Sequence, residues 1–291
     1  MMKTAAKPAF KKNRISTRKL VSRILIYAVL IGMSILFILP FYWMFITSIK
    51  QPGEVYVTPV KWFPSVPDFS TYARLFGEYK FSGYFGNTIW LTAVNIVGYL
   101  SSCTLVAYGF ATQQWRHRDK LFLFVLATMM LPKEVTFYPQ FILFKCIGWY
   151  GTMLPLWVPA FFGDAFQIFL IRQFFLGVPR DIMEASRIDG CSRLRTLISI
   201  YVPMSKPVLA TSLMYIFMYH WNDFFKPLIY ITKEYNRTAS LALMYLKSTQ
   251  DTMTLMPVQM AASVVLAIPC VLLYYAVQRF FAGKKVYKGI K

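Results

Sequence analysis

The chain has 291 residues, 57% of them hydrophobic and 18% aromatic, and its mean hydropathy is positive. A soluble domain of this size cannot hide so much apolar surface, so the composition excludes an ordinary soluble protein and points to a polytopic membrane protein. The net charge of +20 does not indicate a nucleic-acid binder, because most basic residues gather in a few short segments between apolar runs, the pattern that sets membrane orientation.

The N-terminus, residues 1–23, is basic, with Lys3, Lys7, Lys11, Lys12, Arg14, Arg18, Lys19 and Arg23. The apolar run that follows it is too long for a cleavable signal segment and lacks a small-residue cleavage site. A transmembrane helix needs about 20 apolar residues to cross roughly 30 Å of hydrocarbon. Runs of that kind predict spans near 24–46, 88–110, 121–142, 153–173, 207–229 and 256–280, an all-α transmembrane domain over 24–280 with about six transmembrane helices. Between the first two spans, Pro52, Pro59, Pro64 and Pro67 predict an extended outer segment with a short helix near Tyr72–Phe76. A second outer segment, Thr232 to Leu255, reads as polar enough to stay in water. The last residues, 281–291, form a short basic tail.

Charge counting orients these spans. Residues 1–23, 111–120, 172–206 and 279–291 carry 22 of the 32 Lys and Arg and four of the 12 acids, a net +18 against +2 elsewhere. Both termini are therefore expected in the cytoplasm. Four scattered cysteines, Cys103, Cys146, Cys191 and Cys270, have no metal or redox spacing and read as packing residues, so no metal site is expected.

The most informative cytoplasmic segment is 178–207. Val178-Pro179-Arg180-Asp181 is a helix-start signature. Ile182 to Asp189 spans two turns, and Gly190 supplies the left-handed conformation that ends a helix. Ser192 then caps a second helix running through Leu194, Leu197, Ile198 and Tyr201 to a stop at Pro203. Ile182, Met183 and Ile188 offer apolar anchors to a partner groove, while Glu184 and Asp189 offer charge for its rim.

Glu184, Ala185, Asp189, Gly190, Ile200, Pro203 and Pro207 fall in register with the "EAA" loop of ABC-importer permeases, which the segment resembles. It departs at Ser186 and Cys191, where alanine is usual, and at Leu197, where phenylalanine is common. Asn87-Thr88, the stretch Ile168 to Phe175, and Trp221-Asn222-Asp223-Phe224 are similar to the carbohydrate-importer branch, the maltose-type, MalG-like family, over residues 20–291. The resemblance implies a multi-pass protein of the bacterial cell membrane that forms a heterodimer with a second homologous permease. It implies two cytoplasmic ATPase subunits that carry ATP and Mg, and an extracytoplasmic solute-binding protein. The coupling role would fall on Glu184, Ala185, Ile188, Asp189, Gly190 and Pro203. No cofactor is expected on this chain, which lacks a GxxxxGK[ST] phosphate loop.

Polar residues inside apolar runs mark a second set of candidates. Asp164, with Gln167 beside it in the fourth span, either holds helices together or lines a solute path. Tyr219, Trp221, Asn222 and Asp223 in the fifth span form either a sugar-holding cluster or an interfacial aromatic belt. Lys226 stands three residues after Asp223 as its neutralising partner. Lys133 and Glu134 read as a solvated pair, and His117 and His220 have no assigned role. Cargo other than sugar, and transport without an ATPase, are the competing functions.

Overall fold

The computed structural model describes residues 17–248 and 252–282, all helix and connecting loop with no strand among them. The basic segment before Thr17, and the tail from 283 onward, lie outside the described residues. Fourteen α-helices follow in order among the described residues: α1 Thr17–Ser48, α2 Ser70–Gly77, α3 Phe81–Thr112, α4 Arg118–Thr128, α5 Lys133–Cys146, α6 Leu154–Trp157, α7 Ala165–Leu176, α8 Arg180–Ile188, α9 Arg193–Thr196, α10 Val202–Met204, α11 Lys206–Trp221, α12 Phe225–Tyr230, α13 Ala239–Ser248 and α14 Thr252–Ala282.

Four segments are long and apolar enough to cross a bilayer: Val21–Ser48, Phe81–Thr112, Leu154–Leu176 and Leu255–Phe280. A fifth arises if Arg193–Met204 and Lys206–Trp221, bent by 83°, count as one span. These segments overlap the first, second, fourth and sixth expected spans.

The expected third span, 121–142, is interrupted. α4 ends at Thr128, a turn occupies Met129–Pro132, and α5 starts at Lys133. Pro132 has no N–H to donate and biases Leu131 away from helical geometry, so neither half reaches bilayer length. The fifth, 207–229, stops at Trp221. There the Asn222 side chain donates to Met218 O at 2.8 Å and the Asp223 carboxylate accepts from Lys226 N at 3.2 Å. Two residues that cap helices separate α11 from α12.

α3 is the central post, packed against α7, α11 and the 3₁₀ turn Val158–Phe162, while α1 lies along α14. The short outer helix is present as α2. The segment 232–255 departs from expectation, since Ala239, Leu241 and Ala242 of α13 are buried. Small apolar residues seat α13 on α3 and α14. Asn87 donates to Tyr235 O and Arg237 O, and Thr88 Oγ1 accepts from Ala239 N at 2.8 Å. The Asn87-Thr88 pair thus fastens this segment to the top of α3.

The fourth span is broken in its middle, where the 3₁₀ turn meets Gly163 at φ +88° and α7 begins. Irregular backbone at membrane depth persists only where protein satisfies its polar groups. α3 does so here. Asn95 Nδ2 donates to Leu156 O at 3.0 Å, Ser102 Oγ donates to Ala160 O at 3.0 Å, and Asp164 N donates to Cys103 Sγ at 3.3 Å. Gly98 permits the approach, because a Cβ there would stand 2.8 Å from the Ala160 Cβ.

Candidate functional site

The first candidate is the helix–turn–helix 178–205. α8 begins after Pro179 and ends in a Schellman turn. Cys191 N donates to Ser186 O at 2.9 Å and Gly190 N to Arg187 O at 3.0 Å, with Gly190 at φ +73°. This double closure demands a left-handed residue at position 190, which glycine adopts without a Cβ penalty. Ser192 Oγ then accepts from Arg195 N at 3.3 Å and caps the next helix. Both features follow the sequence pattern.

The second helix does not stop at Pro203. A π turn, Leu197–Tyr201, lies before it, in which Val202 N donates five residues back to Leu197 O. The widened register absorbs the missing proline N–H, and the chain turns only at Ser205. Pro203 thus lies within the helical run and does not end it.

α8 is two-faced. Ser186 is buried, its Oγ donating to Met183 O at 2.8 Å and lying 3.3 Å from Thr196 Oγ1. Ile182 packs on the core formed by Cys103, Tyr108, Ile171, Phe175, Leu197 and Tyr201. The opposite face presents Glu184, Ala185, Asp189 and Gly190, with Ile188 87% exposed and Leu194 57% exposed beyond the turn. Glu184 and Asp189 make no ion pair among the described residues. Of the expected apolar anchors, Ile182 faces inward and Ile188 outward.

Below α8 lies an aromatic junction that the sequence reading did not identify. Tyr108 of α3, Phe175 of α7 and Tyr201 of the π turn meet edge to face, with centroids 5.0 Å apart for Tyr108–Tyr201 and 5.2 Å for Phe175–Tyr201. All three are buried. Arg172 lies on the Phe122 ring, 3.9 Å from its centroid, and its Nε donates to Phe110 O, fastening α7 to α4 and α3. Arg118 pairs with Asp119 at 2.9 Å at the start of α4. That guanidinium holds the Asp119 carboxyl below the usual carboxylate range.

The other end of α7 opens on a cavity of about 990 Å³ between α5, α7, α11 and α12. Asp164, Gln167, Tyr219, Asn222 and Asp223 all line it, so the structure brings most of the intramembrane candidates together. Asp164 is the N-cap of α7, accepting from Gln167 N at 3.0 Å. Gln167 Oε1 accepts from Ser212 Oγ of α11, whereas the buried Gln167 Nε2 has no partner.

Trp221 does not belong to this wall. It is buried, donates from Nε1 to Leu266 O at 3.0 Å and stacks on Phe217 at 5.1 Å. Its indole fixes α11 to α14, so neither reading of the Tyr219–Asp223 cluster describes Trp221. The Lys226–Asp223 contact runs through the lysine backbone, while the ammonium lies 5.4 Å from the Tyr219 ring centroid. Sequence reasoning missed Tyr99, Tyr215 and His220, which also line the cavity. Tyr99 stacks on His220 at 5.5 Å, and Tyr215 on Tyr219 at an interplanar angle of 9°. The four-residue spacing of Tyr215 and Tyr219 is the signal that marks them as one helix face.

Residues 104–286 match the model of the binding-protein-dependent transport system inner membrane component. The arabinooligosaccharide permease AraQ of Halalkalibacterium halodurans is 29% identical over 72% of this chain and 74% of its own length. The trehalose/maltose permease MalG of Thermococcus litoralis is 26% identical over 91% and 95%, and the lactose permease LacG of Rhizobium radiobacter 26% over 88% and 92%. A chain from the crystal structure of a bacterial ABC transporter that imports the acidic polysaccharide alginate shares the fold, with a TM-score of 0.80, 24% identity, and coverage of 92% of this chain and 99% of that one. The family match spans more than half of the sequence and includes both the helix–turn–helix and the cavity-lining α11; the chain belongs to the inner membrane components of binding-protein-dependent transport systems.

Proposed function

We propose that the chain is one permease half of an ATP-driven importer in the bacterial cell membrane, carrying a sugar or oligosaccharide delivered by an extracytoplasmic binding protein. Both termini lie in the cytoplasm, as the charge distribution favours, and lipid covers the exposed apolar surface of α1. A second homologous permease completes the pore. Two cytoplasmic ATPase subunits bind ATP and Mg, since this chain carries no phosphate loop and performs no hydrolysis itself. The sugar cargo is supported by its relatives, which transport arabinooligosaccharides, trehalose or maltose, and lactose.

The single observation that carries the mechanism is the pairing of ends. α7 has 12 residues and α11 has 16, so at 1.5 Å per residue they are rods of about 18 and 24 Å. Each runs from the helix–turn–helix to the cavity. In this reading Glu184, Ala185, Ile188, Asp189 and Gly190 seat α8 in an ATPase groove. Closure of the ATPases on ATP moves α8, the aromatic junction passes the motion to both rods, and the cavity changes its access. The differential contacts of ATP with the two states drive the change.

The test is uptake of radiolabelled sugar by proteoliposomes holding the assembled transporter and its binding protein. Uptake should require internal-face ATP and vanish with an ATPase-dead partner. Uptake driven by an ion gradient after ATP removal would contradict the reading.

A further inference from the structure

Resting on that reading of the cavity, we infer that this chain itself holds the passing sugar, and that its wall selects uncharged or amino sugars over uronates. The wall has a built polar donor without a partner. Gln167 lines the cavity and is 1% exposed; its Oε1 is occupied by Ser212, and its buried Nε2 has nothing to donate to. An unmet buried donor favours a ligand that brings an acceptor. A sugar hydroxyl supplies one, and its own hydrogen can pass to a carboxylate.

Carboxylates are present in excess. Asp164, Asp223 and Glu134 line the cavity, against the single ammonium of Lys226 among the described lining residues. Asp164 caps α7 through one oxygen, and Asp223 accepts from the backbone N–H of Lys226 in the first turn of α12. The Lys226 ammonium rests against the Tyr219 ring, 5.4 Å from its centroid. Little positive charge is left over for a ligand carboxylate, and a uronate would add a like charge to an acidic wall of low dielectric. An amine would find acceptors in place.

Flat platforms complete the site. The Tyr215 and Tyr219 rings lie nearly parallel along one face of α11, with the Tyr99–His220 stack beside them, His220 edge-on to Tyr219 at 5.1 Å. Apolar faces of pyranose rings pack on such surfaces. The volume of about 990 Å³ sits at the upper end of the ~300–1,000 Å³ common for ligand sites, room for more than one sugar ring. The fold does not dictate this charge, because the neighbour that shares it imports an acidic polysaccharide.

The experiment is equilibrium binding to the assembled transporter in nanodiscs, without binding protein, of three trisaccharides: maltotriose, a glucosamine trimer and trigalacturonate. The first two should bind at least tenfold tighter than the third. Asp164→Asn with Asp223→Asn keeps both caps and should bring that ratio below threefold. Gln167→Glu keeps the acceptor for Ser212, removes the donor and should weaken maltotriose at least tenfold. Trigalacturonate binding within threefold of maltotriose in the wild type, or ratios unmoved by the variants, would overturn the inference. If no trimer binds here while sugar-loaded binding protein still stimulates ATP hydrolysis, the site fails and the sugar reading survives; if neither occurs, both fall.

Discussion

Ser186 shows how a small exchange is accommodated in α8. The family pattern has alanine there, and the structure places Ser186 buried against Thr196, with its hydroxyl returned to Met183 O. Size rather than polarity is constrained at this position. Ser186→Ala should leave thermal stability nearly unchanged, while Ser186→Leu should destabilise by about 1–3 kcal/mol through overpacking. Differential scanning fluorimetry of the assembled transporter reads both. The coupling turn was legible in the sequence because its signals are local: proline before the first turn, glycine after the last, serine at the next cap. Asp164 was legible only as an oddity. That it caps α7 depends on a break at Gly163 that no periodicity announces.

At the scale of elements, the broken fourth span depends on α3. Asn95 is 2% exposed and donates to both Leu91 O and Leu156 O. Asn95→Leu leaves Leu156 O without its donor in an apolar setting, a cost of about 1–3 kcal/mol. The expected result is a lower melting temperature with the coupling turn still intact; unchanged stability would show that the carbonyl finds another donor. The sequence reading erred where prolines and caps act together over distance. Pro132 and the Asn222-Asp223 pair divided two apolar runs that hydropathy treats as continuous. α13 was read as wet because its polar ends outweigh Ala239, Leu241 and Ala242, which are buried only through contact with α3 and α14. Trp221 likewise needed its tertiary partners, Leu266 O and Phe217, before packing could be told from binding.

At the scale of the whole molecule, the proposed mechanism makes α8 and the cavity two ends of one mechanical path. The edge-to-face junction of Tyr108, Phe175 and Tyr201 joins α3, α7 and the π turn, and close-packed aromatic contacts transmit displacement without much compression. The turn at Gly190 fixes how α8 is presented to a partner, and no neighbouring atom lies within 4 Å of a Cβ built there, so substitution acts on the backbone alone. Proline at 190 cannot adopt φ +73° and removes the N–H that closes the turn on Arg187 O. The most direct measurement is ATP hydrolysis stimulated by solute-loaded binding protein, with sugar uptake, in proteoliposomes of the Gly190→Pro transporter. The account predicts that both fall at least tenfold while the subunits still assemble; stimulation and uptake equal to the wild type would contradict it.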